Sequence, residues 1–152
     1  MTHQDYMRQA LALAQEAAAA GEVPVGCVIV DKDGQVIGRG RNRREEEKNP
    51  LAHAELDAIA DACRRYGDWR LKGARLYVTL EPCPMCAGGI ISARIPEIYY
   101  GAKDAGFGAC GSILNLFEED FRHHPKIMGH ILEAECAALL RDFFAQVREK
   151  EM

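Results

Sequence analysis

No stretch of the 152 residues is apolar for long enough to cross a bilayer. The opening segment, MTHQDYMRQALALAQ, is amphipathic and carries Asp5 and Arg8, so it does not read as a secretory signal. These two absences argue against any membrane association and make the cytoplasm the expected compartment. Internal repeats are lacking, and AAAA at 17–20 is the only low-complexity run. There is no excess of basic residues either. The net charge of -4, from 19 Lys and Arg against 23 Asp and Glu, argues against a general nucleic-acid binder. Basic segments do occur at 38–44 (GRGRNRR), 69–75 (WRLKGAR) and 121–126 (FRHHPK), each either a local contact surface or an ordinary solvated loop. What remains is a soluble composition, 48% hydrophobic and 28% charged, in a chain long enough to bury one core. One domain over 1–152 is expected.

Six cysteines stand at 27, 63, 83, 86, 110 and 136. In a short secreted chain an even count would suggest disulfides. In a longer chain without export signals, reduced thiols and a metal are expected instead.

Hydrophobic spacing sets the order of elements. Residues 4–20 place Tyr6, Met7, Ala10, Leu11 and Ala14 on one helical stripe, closed by Gly21. VGCVIVD at 25–31 reads as a buried strand, KDGQ as a turn, and 36–41 as the returning strand. A polar loop runs to Pro50, and 51–67 reads as a helix ending at Gly67. A strand at 74–80, a helix at 84–94 that welcomes Pro84 in its first turn, and a strand at 97–102 follow. After a Gly-rich loop come a short strand at 126–130 and an amphipathic helix at 132–150. Strands joined through helices tend to run parallel, and the hairpin adds an antiparallel edge. The expected fold is α/β, with one mixed sheet covered by helices on both faces.

LEPCPMCAGGI, at 80–90, puts Cys83 and Cys86 at a strand-to-helix junction. Alone, that pair is compatible with a redox couple, a structural zinc or a catalytic zinc. Upstream, AHAEL places His53 and Glu55 near the start of a helix. A histidine and two thiolates leave one tetrahedral zinc position for water, and zinc brings the pKa of that water toward neutrality. A glutamate two residues from the histidine can take the water's proton and return it to a leaving amine. Taken singly, His53 is as well explained by packing and Glu55 by solvation. Their ordered conjunction with Pro-Cys-x-x-Cys is the established signature of zinc-dependent base and nucleoside deaminases.

With these residues in view, the sequence resembles the bacterial tRNA-specific adenosine deaminases of the cytidine deaminase superfamily. GEVPVGCVIV, NPLAHAEL, LYVTLEPCPMCAGGIISARI, GAKD and LEAECAALLRDFF carry the resemblance over nearly the whole chain. It implies a three-layer α/β/α sandwich around a mixed five-stranded sheet, a homodimer, and one Zn2+ per subunit held by His53, Cys83 and Cys86, with Glu55 as the proton shuttle. The implied reaction is hydrolytic deamination of adenosine to inosine at the wobble position, 34, of a tRNA anticodon stem-loop. It further implies that Asn42 hydrogen-bonds the extruded adenine, that the Ala54 N–H meets the purine edge, and that Asp104 lies beside the neighbouring nucleotide. Val25 and Leu80 are candidate pocket walls, and Phe144 a candidate RNA contact. Four of these have a plainer reading: turn chemistry for Asn42, core packing for Val25 and Leu80, and, for Phe144, burial with Phe143 against the sheet.

The chain departs from the family pattern at three places. Arg41 stands where some relatives carry an aromatic residue. Gly106 and Phe107 stand where a basic residue often follows, and Phe107 either stacks on a base or packs under its loop. The C-terminus lacks the lysine-rich tail of some relatives. Two rival functions share the motifs: a deaminase of free guanine, cytosine or cytidine, and a non-catalytic zinc or redox module.

Overall fold

In the computed structural model, which describes residues 1–151, the element order follows the hydrophobic pattern. Helix α1 spans His3–Ala19, strand β1 Gly26–Val30, β2 Val36–Arg41, helix α2 Ala54–Tyr66 and β3 Arg75–Leu80. Helix α3 spans Pro84–Ser92, β4 Glu97–Ala102, β5 Lys126–Met128 and α4 Glu133–Glu151. A single 3-10 turn at Leu116–Glu118 was not anticipated from the sequence.

The five strands form one sheet in the order β2-β1-β3-β4-β5. β1 pairs antiparallel with both β2 and β3, whereas β3–β4 and β4–β5 are parallel. The crossover through α2 therefore joins β2 to β3, which run in the same direction with β1 between them. β1 is apolar at every position because it is central and covered on both faces. Leu76, Val78 and Ile98 pack under α2 and α3. Val28, Tyr77 and Tyr99 pack under α1, with α4 beside it. The result is the three-layer α/β/α sandwich expected from the resemblance. No helix among the described residues is long and apolar enough to cross a membrane.

Helix α2 starts three residues later than the sequence pattern suggests. Residues 51–53 stay extended or turning, and His53 takes the N-cap position with φ -87° and ψ 154°. Its other end agrees: Gly67, at φ +78°, supplies the left-handed C-cap. The helix lies so close to β2 that a Cβ on Gly40 would sit 2.3 Å from the Ala54 carbonyl oxygen and 2.5 Å from the Ala58 nitrogen. Because these are backbone atoms, the clash is relieved only by lifting the helix. Gly40→Ala is expected to cost about 1–3 kcal/mol, which for a chain of this size lowers the melting midpoint by about 2–4 °C per kcal/mol. A thermal melt unchanged from wild type would show that α2 does not sit where described.

Candidate active site

The strand directions bring the chemistry to one edge of the sheet. β2, β3 and β4 end there and β1 begins there, so Asn42, Leu80, Asp104 and Val25 come together from four separate chain segments. Crevices outside the carboxyl ends of strands are the usual ligand positions in α/β sheets. A cleft of about 660 Å³ opens at this edge.

His53, at the N-cap of α2, and Cys83, at the N-cap of α3, lie at its floor, and neither side chain caps its own helix. Pro84 starts α3. Cys86, in the first turn of α3, is buried just behind. The His53 Nδ1 atom is 3.7 Å from the Cys83 Sγ and 3.6 Å from the Cys86 Sγ. All three donor atoms lie within 4.8 Å of one another. Tetrahedral zinc, with bonds of about 2.0–2.1 Å to nitrogen and about 2.3 Å to sulfur, sets such N···S pairs about 3.5–3.6 Å apart. The donors present fit the metal.

Electrostatics agree. The hydrogen bond from Cys86, helped by His53, pushes the Cys83 thiol down to about 4. Cys86 is held well up by that same hydrogen bond and by burial. The hydrogen bond with Cys83 raises His53 above its ordinary value. One thiol thus ionises readily and the second resists, since adjacent thiolates repel. A divalent cation removes the repulsion, and the positive N-termini of α2 and α3 act in the same direction. A redox cysteine pair has no need of a third donor aimed at both sulfurs. Glu55, two residues after His53, is 4% exposed, and burial pushes its carboxyl up to about 7. A carboxyl poised near neutrality suits proton transfer.

The remaining sequence candidates also line the cleft: Val25, Asn42, Ala54, Leu80, Asp104 and Phe144. Several carry structural duties there. The Asn42 Oδ1 accepts from the Arg44 N–H at 3.1 Å, and its Nδ2 donates to the Val23 carbonyl at 3.2 Å. The turn chemistry is therefore real, and it leaves one amide hydrogen and one lone pair unused. The Asp104 Oδ1 accepts from the N–H groups of Gly106 and Phe107, at 3.0 and 3.1 Å. Phe144 is exposed while Phe143 is half-buried, so the two aromatics separate: 144 faces the cleft rim and does not fill the core. Phe107 does not pack under its loop, being 70% exposed at the same rim. Arg41 faces away from the chemistry, its guanidinium donating to Glu46 at 3.1 Å and to the Asn42 carbonyl at 3.2 Å.

Two buried carboxylates escaped the sequence reading. The Glu22 carboxylate accepts from the N–H groups of Glu45 and Glu46, at 3.0 and 2.7 Å, and ties down the loop after β2. The Glu81 carboxylate accepts from the N–H groups of Asp104 (3.1 Å), Cys110 (2.8 Å) and Ser112 (3.2 Å), and from the Ser112 hydroxyl. Burial opposes its ionisation, yet these donors together hold the carboxyl below its ordinary range. Glu22 and Glu81 brace the two loops flanking the cleft. Arg44, from the basic segment 38–44, also lines the cleft, as does Lys103, which the basic segments did not include.

Residues 1–102 match the family model for the cytidine and deoxycytidylate deaminase zinc-binding region. The chain belongs to this deaminase family. Its fit to zinc is the family's own, one ion per chain at the His53–Cys83–Cys86 set. Among characterised relatives, the deaminase is 44% identical over 147 residues to a tRNA-specific adenosine deaminase of Bacillus subtilis, covering 96% of this chain and 91% of that one. A solved structure from a study of A-to-I editing by tRNA:A34 deaminases superposes with a TM-score of 0.85 at 45% identity, covering 90% of this chain and 99% of that one. A guanine deaminase of Bacillus subtilis superposes with a TM-score of 0.65 at 40% identity, covering 71% and 72% of the two chains.

Proposed function

We propose that the protein is a zinc-dependent hydrolase that converts adenosine to inosine at position 34 of a tRNA anticodon. The observation that carries the reaction is the buried Glu55 beside three converging metal donors at the floor of an open cleft. The substrate rests on likeness to the tRNA-specific enzymes over almost the whole of both chains.

When bound at His53, Cys83 and Cys86, zinc supplies a water acidified toward neutrality. Glu55 takes one proton of the attacking water and delivers it to the ring nitrogen, then takes the second from the hydroxyl now on C6 and gives it to the amine. Ammonia leaves and the water oxygen remains as the inosine carbonyl. Val25 and Leu80 flank the adenine, which is extruded cheaply because it comes from a single-stranded loop. The Ala54 N–H, one of the orphan donors of the first turn of α2, and the unused amide hydrogen of Asn42 meet the purine edge. Asp104 shapes the loop beside the neighbouring nucleotide, and Phe144 closes the rim. Among the described residues neither Lys103 nor Arg44 has a carboxylate partner, which leaves both for phosphates. Local positive charge thus compensates a net charge of -4. Exposed Leu51, Ile113 and Leu114 are suited to a homodimer contact, and residues 1–152 act as one domain in the cytoplasm, where the tRNA is.

The likeness to guanine deaminase supports a second reading, turnover of a free purine. Mass-spectrometric assay of an anticodon stem-loop with adenosine at the wobble position, beside a panel of free adenine, adenosine, guanine, cytosine and cytidine, separates the two. Inosine in the stem-loop alone is the expected result. Turnover of a free base or nucleoside alone would keep the reaction and overturn the substrate.

A further inference from the structure

We propose that Phe107 is a stacking platform for a base adjacent to the target adenosine, and so a specificity-determining residue of this chain. The inference rests on the RNA reading above and deepens it. A single exposed apolar residue is unremarkable on a protein surface, so the 70% exposure of Phe107 decides nothing alone. Its position and its backbone decide more.

Phe107 lines the mouth of the same cleft that holds His53 and Glu55, with Phe144 of α4 also in the lining. The cleft is larger than a single purine needs, so the target base fills the floor and leaves the rim for its neighbours. The loop bearing Phe107 is not slack. The Asp104 Oδ1 accepts from the Gly106 and Phe107 N–H groups, and the Gly108 N–H donates to the Asp104 carbonyl at 2.9 Å. Beneath it, the buried Glu81 carboxylate gathers the backbone on both sides of Phe107, at residue 104 before it and at 110 and 112 after it. Gly108 presses so closely on that carboxylate that a Cβ there would lie 2.4 Å from it. The aromatic ring is thus exposed on a braced turn, and ordering it against a ligand costs little backbone entropy. Lys103, in the same loop and the same lining, provides a cation for the phosphate of the nucleotide whose base stacks. Every base has a π face, so an aromatic platform needs no hydrogen-bond code.

The test uses the zinc-loaded full chain and three stem-loops: intact, abasic on the 5′ side of the target adenosine, and abasic on its 3′ side. On the intact loop, Phe107→Ala is expected to raise KM about tenfold, equivalent to ~1.4 kcal/mol of binding, with the loss falling on KM and not on kcat. Phe107→Trp is expected to restore KM. On one of the two abasic loops, wild type and Phe107→Ala should converge, because the base that Phe107 contacts is already gone. An equal penalty on all three loops, no penalty on the intact loop, or a loss that follows a change in oligomeric state would each overturn the proposal. Wild-type editing of the intact loop with an indifferent Phe107→Ala would sink this inference and leave the proposed function standing. A wild type inactive on every stem-loop would sink both.

Discussion

Cys86→Ala is expected to purify with well under one zinc per chain and to show no deaminase turnover above background. The thiol of Cys86 is buried, 3.6 Å from the His53 Nδ1, and no other cysteine or histidine joins the trio among the described residues. Its removal takes one of three protein donors, so zinc affinity should fall by more than the ~10–100-fold that loss of a mere outer-shell partner costs. The side chain is small and the space it leaves is lined by Glu55 and the other donors. A soluble chain with the wild-type far-ultraviolet spectrum is therefore expected, and zinc measured by mass spectrometry of the metal is the primary readout. Prolonged treatment of the wild type with a chelator should produce the same loss, reversed by added zinc. A Cys86→Ala protein that retained stoichiometric zinc and activity would refute the ligand set. A wild type that purified with no zinc and a Cys83–Cys86 disulfide would restore the redox reading.

The second large effect is at Glu55. Glu55→Ala should keep zinc at one per chain and lose turnover by about 10²–10⁴-fold, the usual worth of a positioned general acid–base. At 25 °C that is about 2.7–5.4 kcal/mol on the activation barrier. The carboxyl is nearly fully buried and pushed up to about 7 by that burial, which is unfavourable for a residue with only a structural duty. The variant is accordingly expected to melt no lower than about 1 kcal/mol below wild type, the centre of the range for single substitutions. Single-turnover rates on the stem-loop, together with metal content of the same sample, give the answer. Near-normal turnover would show that the proton moves through another group and that the mechanism is wrong.

Most of the element order was legible because it depends on local spacing. The stripe of Tyr6, Met7, Ala10, Leu11 and Ala14 is buried as read, Gly67 caps the end of α2, and Pro84 stands in the first turn of α3 as expected. The start of α2 was misplaced by three residues because Leu51 and Ala52 fit a helical pattern, whereas His53 is needed in an extended conformation to turn its ring toward the thiols. Phe143 and Phe144 could not be assigned from their helix alone. An aromatic pair at adjacent positions points in directions about 100° apart on a helix, and only the neighbouring cleft shows which one is left out.

Glu22 and Glu81 were invisible for a different reason. Each is one acidic residue in a loop, and the backbone N–H groups that define its role lie between 23 and 31 positions away. Hydrogen bonding to a backbone N–H leaves no mark on the identity of the donor residue, so no sequence pattern reports it. Nor does any sequence pattern report that Arg41 has a neutralising partner in Glu46, while among the described residues Lys103 and Arg44 have no carboxylate partner.

By itself, then, the sequence determined the three metal donors, the carboxylate proposed to carry the proton, and the helices that hold them. Metal chemistry admits few residue types, and Pro84 marks the start of the helix that positions the two thiols. Only the tertiary structure decided which side chains share the cleft, which carboxylates brace its walls, and which cations and aromatics stay open to a ligand. Those outcomes follow from strand order and direction, which bring the ends of β2, β3 and β4 and the start of β1 to one edge. They depend on free energy summed over the whole packed sheet and not on any short segment of the chain.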